Sequence, residues 1–226
     1  MVGLSVIIGS GLCRAEMVSV GSTEISIPLP LSHCVLSNSN PAHSRLIEYY
    51  RNAAEKMDQF FLLGSADCQQ LEDWVNGRLP TLNDWASVFA PRRWSNEIIS
   101  MDIEEFIATL RQEYINLGAQ GLEERMKQTQ SDITSALEKV FSGASIGEIK
   151  PLGILDQDEN ALYIGLALTG TTEYDQPKQT LSITALTLIR GKYVHLELDA
   201  TYHDADTIYR SLRKVKDWSH RAQLNN

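Results

Sequence analysis

TLSITALTLIRGKYVHLELDATY, residues 180–202, is two runs of β-forming residues joined by Arg190-Gly191-Lys192. Short apolar and β-branched runs on either side of a glycine-containing turn predict a tight hairpin. In the second run Val194, Leu196, Leu198 and Ala200 point one way, and Tyr193, His195, Glu197, Asp199 and Thr201 the other. Side chains alternate across a strand, so this pattern predicts an antiparallel sheet with one buried face and one polar, solvated face. Upstream, Gly147 to Leu155 and Ala161 to Leu168 flank Asp156-Gln157-Asp158-Glu159-Asn160, a second hairpin with a polar tip. Downstream, a helix from Asp204 carries Ile208, Leu212, Val215 and Trp218 on one face. The fold class is α+β, an antiparallel sheet with helices packed on it.

Two amphipathic helices precede this sheet. The first carries Ile103, Phe106, Ile107, Leu110, Tyr114 and Leu117, the second Leu122, Met126, Ile133, Leu137 and Val140/Phe141, with a break at Gly118 to Gly121. Residues 74–97 read as loop-rich and hold Trp74, Trp85 and Trp94. Earlier still, Asn40 as N-cap and Pro41 at the first helical position open a helix read through Leu46, Tyr49/Tyr50, Ala53 and Met57 to Phe60/Phe61. Leu62 to Cys68 leaves it as a strand. Glu16 to Leu31 reads as a hairpin turning at Gly21-Ser22 and ended by Pro28 and Pro30. No repeat or linker divides the chain, and residues 16–226 form a single α+β domain in this reading.

With 226 residues, 43% of them apolar and 22% charged, the chain has the composition of a globular domain and not of a disordered or fibrous one. A net charge of −9 argues against a duplex nucleic-acid binder, which needs a basic footprint. No apolar run reaches the length of a membrane span, so no transmembrane segment is expected in the mature chain.

Val2 to Leu12 is short, apolar and rich in small residues, and Cys13-Arg14-Ala15 follows. This outlines a signal peptide over residues 1–15 with cleavage after Ala15, and a periplasmic or secreted protein. The competing reading is a buried N-terminal strand, since no Lys or Arg precedes the run. Cleavage would leave Cys34 and Cys68, an even count that suits a disulfide in an oxidising compartment. Two buried free thiols are the alternative.

Gly143-Ala144-Ser145-Ile146-Gly147 matches G-x-S-x-G, but a helix precedes it and a strand follows, the reverse of the hydrolase elbow. The Asp156 to Asn160 tip begins like a calcium loop, yet its sixth position is Ala161 and its twelfth Ala167. His195, Glu197 and Asp199 share one face of a strand and are the strongest candidates for acid–base or metal chemistry. A solvated sheet face carries the same residue types, and no Ser or Cys nucleophile is placed beside the histidine. Arg210, Arg213, Lys214, Lys216 and Arg221 read as the solvated face of the last helix, and His203, Asp204 and Asp206 as helix-start chemistry.

The order of elements in the last third resembles the PsbP-like fold, an antiparallel sheet sandwiched between helices. Ala161-Leu162-Tyr163-Ile164-Gly165, the strand Thr180 to Ile189, Arg190-Gly191-Lys192-Tyr193-Val194 and the helix after Asp204 carry the resemblance, with Ile25-Ser26-Ile27-Pro28 as the entry strand. The chain also resembles uncharacterised exported bacterial proteins. The resemblance implies a non-enzymatic accessory protein of an extracytoplasmic compartment. The expectation is therefore an exported accessory or binding protein without catalysis, cofactor or metal, its protein or small-molecule partner unknown. The alternative is a hydrolase or metal-dependent enzyme using the His195/Glu197/Asp199 face.

Overall fold

The hairpin that opens the sequence argument is present, and it sits at the centre of the molecule. A computed structural model describes residues 15–141, 144–171 and 178–226; residues 1–14 of the predicted signal segment and Gly143 of the G-x-S-x-G pattern lie outside them. In chain order the elements are β1 (Ala15–Val20), β2 (Thr23–Pro28), β3 (His33–Val35), α1 (Pro41–Lys56), β4 (Gln59–Asp67), α2 (Cys68–Val75), β5 (Asp84–Pro91), α3 (Ile103–Val140), β6 (Ser145–Gln157), β7 (Leu162–Thr171), β8 (Lys178–Ile189), β9 (Lys192–Thr201) and α4 (Ala205–Leu224). The fold is α+β. β1 and β2 form a two-stranded ribbon, and the other strands form one antiparallel sheet in the order β3-β4-β5-β9-β8-β7-β6.

The β8–β9 turn uses left-handed conformations at Arg190 (φ 52°) and Gly191 (φ 72°), which match the twist of the strands it joins. A side chain at position 191 would meet Ile98 and the Ile99 carbonyl. Beside it Lys192, 1% exposed, donates to the carbonyls of Ser95 (2.8 Å) and Glu97 (2.7 Å), tying the hairpin to the segment before α3.

Each face of the sheet has its own cover. On one side Val194, Leu196 and Leu198 meet Val18, Val20, Ile25 and Ile27 of the ribbon and Val215, Trp218 and Ala222 of α4. Asp204 caps α4 by accepting from the Thr207 amide (3.0 Å), and the Thr207 hydroxyl returns a contact to the Asp204 amide in a capping box. On the other side α1 packs on β4 and β5 through Ile47, Tyr50 and Ala54, and α3 packs on β7 and β8 through Ile107. The predicted break between two helices is a kink inside α3, at Gly118 (φ 62°). The first half of α3 lies on the sheet, and the second reaches α1, where Phe141 stacks edge-on against Tyr49.

Three expectations change. The first helix ends at Lys56, because Asp58 adopts a left-handed conformation (φ 54°), so Phe60 and Phe61 belong to β4. The stretch read as loop-rich contains β5, an interior strand of the sheet, between β4 and β9. The basic residues of α4 are not all a solvated face. Lys214 pairs with Asp84 (2.5 Å), Lys216 with Asp156 (2.9 Å) and Asp158 (3.3 Å), and Arg221 reaches the Leu29 carbonyl (3.0 Å). Lys216 also occupies the calcium-like tip, while Asp158 accepts from the Asn160 and Ala161 amides as an ordinary turn residue does. No described helix is long and apolar enough to cross a membrane.

Cys34 and Cys68 are bonded, with Cα atoms 4.9 Å apart. The bridge clamps edge strand β3 to the first residue of α2. It closes a loop of sequence separation 34, worth ~2–4 kcal/mol through the unfolded state. A Cys34→Ser, Cys68→Ser variant should lose that much in urea titration; an unchanged midpoint would show that the bridge adds no stability.

Candidate functional site: a covered cavity on the polar face

β9 lies between β5 and β8, so the register fixes the neighbours of each candidate side chain. His195 is flanked by Phe89 and Leu186, Glu197 by Ser87 and Thr184, and Asp199 by Trp85 and Ser182. One strand further, Ile164 and Leu166 of β7 continue these rows beside Thr184 and Ser182. These residues form a floor. Leu46, Tyr49 and Tyr50 of α1 and Met126, Ile133 and Leu137 from the second half of α3 form the roof. Between them lies a cavity of about 840 Å³. The polar face is therefore not the solvated surface expected from alternation. It is roofed because the kink at Gly118 lets α3 cross the sheet and meet α1.

Burial dominates the electrostatics. The His195 imidazole is held neutral, its pKa lowered to about 4 by desolvation. Its Nδ1 lies 3.4 Å from the Gln59 amide, its ring is edge-on to Tyr193, and its Nε2 is buried without a partner. Desolvation pushes the Glu197 carboxyl up to about 7, against a hydrogen bond from Thr184 (3.3 Å). Asp199 is raised well above the carboxylate range, by desolvation first and then by the neighbouring Glu197 charge. Two carboxyls on one strand face titrate as a unit, and near neutral pH this unit holds a proton. Tyr49 and Tyr50 are raised as well, first by burial and then by the carboxylates below them.

Hydrogen-bond donors and acceptors at the floor can orient a polar group, and the walls can hold an apolar body. The three sequence candidates do share this site. Among the described residues, however, no three His, Cys, Asp or Glu side chains gather closely enough to hold a metal. Tyr49, Tyr50, Trp85, Ser182 and Thr184 join the site only through the fold. The alternation of Trp85, Ser87 and Phe89 against Ala86, Val88 and Ala90 is a strand signal; its pairing with β9 comes only from the sheet register.

A second polar cluster lies on the opposite face. His33 Nδ1 is 3.2 Å from Ser65 Oγ, and His33 Nε2 is 3.3 Å from Asp84 Oδ1. These are the residue types of a hydrolytic triad, but the chemistry differs. The Lys214 ammonium, which can only donate, lies 2.9 Å from His33 Nε2. Nδ1 then carries the hydrogen and donates to Ser65, so the ring cannot take the serine proton. Ser65 is 2% exposed, and the cluster ties α4 to β3 and β5. In comparisons with known proteins no family model matches the chain and no curated protein is similar to it, so its function is read from the cavity itself.

Proposed function

We propose that this is an exported, non-catalytic binding protein that holds a lipophilic small molecule between the sheet and the α1/α3 roof. The observation that carries the reading is the cavity. Its volume of about 840 Å³ falls within the range of small-molecule sites, and it combines mainly apolar walls with a few convergent polar groups. The disulfide, the apolar N-terminal run and the PsbP-like order of elements support an accessory role in a periplasmic or extracellular compartment. Acid–base catalysis at the same carboxyls is the second reading, favoured by a Glu197 pKa near neutrality. Binding is preferred because His195, the natural base, is engaged by Gln59, and among the described residues no hydroxyl is hydrogen-bonded to it.

Titration with N-phenyl-1-naphthylamine, a neutral fluorophore that brightens in apolar surroundings, tests the proposal. Saturable binding near one molecule per chain is expected. Leu166→Trp, which extends an indole from the floor into the cavity, should weaken it by ~10-fold or more, equivalent to ~1.4 kcal/mol. Non-saturable binding, or equal affinity in the folded Leu166→Trp variant, would overturn the reading.

A further inference from the structure

We infer that the occupant of the cavity is a lipophilic organic amine, its ammonium group seated against Glu197 and Asp199 and its apolar body against the aromatic side chains of α1 and β5. The inference rests on the binding reading above and gives it a chemical class.

The first support is the inventory of charge. Glu197 and Asp199 lie at the floor of an apolar cavity, and among the described residues neither has an ion-pair partner. The cationic side chains that line the space are committed elsewhere or remote. Lys178 donates to Thr81 Oγ1 (2.9 Å), the Leu82 carbonyl (2.9 Å) and Asn83 Oδ1 (2.8 Å). Lys56 and Arg125 are exposed at the rim, where Asp58 stands with them; Asp132 faces in from α3. His195 is neutral. An uncompensated buried carboxylate is costly, and the free protein avoids that cost by keeping the pair protonated. A bound ammonium would supply the missing charge together with N–H donors for both carboxyls.

The walls supply the second support. Trp85 is the cross-strand neighbour of Asp199, and Phe89, four residues along the same face, is that of His195. Tyr49 and Tyr50 stand above, close enough to the carboxylates to feel their charge. Aromatic faces around an acidic floor favour a cation, because the ring quadrupole attracts positive charge.

The third support is exclusion. A fatty acid or phosphate headgroup would face two carboxyls with no cation beneath it. A plain hydrocarbon would offer the two carboxyls no donor and no charge, so it gains nothing from the acidic floor.

Displacement of N-phenyl-1-naphthylamine by three ligands of one chain length separates these cases: dodecylamine, dodecanol and dodecanoate, each below its critical micelle concentration and near neutral pH. Dodecylamine should displace the fluorophore at a concentration ~10-fold or more below dodecanol, with dodecanoate weakest. In Glu197→Gln, Asp199→Asn the gap between amine and alcohol should shrink to ~3-fold or less; Glu197→Gln alone, with folding checked by circular dichroism, serves if the double variant does not fold. Equal displacement by amine and alcohol, stronger displacement by dodecanoate, or an amine preference that survives in the variant would overturn the amine class and leave the cavity reading standing. No saturable binding of the fluorophore overturns both.

Discussion

The Glu197→Gln, Asp199→Asn variant is expected to be more stable than the parent protein at pH 8, by about 3 kcal/mol or more. The Glu197 carboxyl moves from 4.5 to about 7 on folding because burial penalises its charge, a displacement worth about 3 kcal/mol at ~1.4 kcal/mol per unit. A raised carboxyl stabilises the fold fully below its unfolded value, near 4.5, and that contribution is lost as the pH rises through 7. Asp199 is raised further and adds in the same direction. His195 acts in the opposite sense. Its lowered pKa, about 4 against 6.5, gives stability that is present above 6.5 and lost as the pH falls toward 4. Between roughly 4.5 and 6.5 the two slopes oppose each other, so the parent should vary little there. It should then lose stability above neutrality, by ~1.4 kcal/mol per unit for each extra proton held by the folded state. The double variant keeps the histidine slopes, from His195 and from His33 and His43, whose pKa values are also lowered by desolvation. It should therefore weaken on acidification and stay flat above pH 7. Urea titrations from pH 4.5 to 8.5 distinguish the two profiles, and a variant less stable than the parent at pH 8 would contradict the assignment. Stability given up at a cavity floor is a common feature of binding sites.

Trp218→Ala should cost about 3–5 kcal/mol, the range for emptying a large buried aromatic site. Trp218 is 1% exposed, and its indole N–H donates to the Pro28 carbonyl at 2.6 Å. One side chain thus joins α4 to the end of the β1–β2 ribbon and fills the core between them and the sheet. Trp218→Phe separates the two roles. It keeps much of the apolar volume but leaves the Pro28 carbonyl unpaired, for which about 1–3 kcal/mol is expected. A Phe variant as damaging as Ala would show that the hydrogen bond, and not apolar volume, is what the site requires.

The strands and helices of the last third were legible because their periodicity is nearly uninterrupted. Residues 193–199 alternate without a break, and Ile208, Leu212, Val215 and Trp218 hold one helical face. β5 was hidden by its composition. Alanine and serine dilute the pattern of Trp85, Val88 and Phe89, and prolines and glycine nearby suggest loops. The end of α1 was hidden too, since Phe60 and Phe61 prolong the helical spacing although Asp58 has already turned the chain. The disulfide was accessible from cysteine count and presumed compartment, and the structure brings the pair to 4.9 Å between Cα atoms.

Local pattern alone determined that this chain makes an α+β fold, that Asn40 and Asp204 start helices, and that His195, Glu197 and Asp199 share one strand face. Those facts depend on side-chain alternation and capping, which act within a few residues. Whether that face meets water could not be decided at that range. It depends on a glycine kink at position 118, some eighty residues from the strand, which carries α3 across the sheet to α1. The same three side chains under open solvent would be an ordinary wet surface. Covered, they lose hydration, their proton affinities shift, and the face becomes the floor of a cavity.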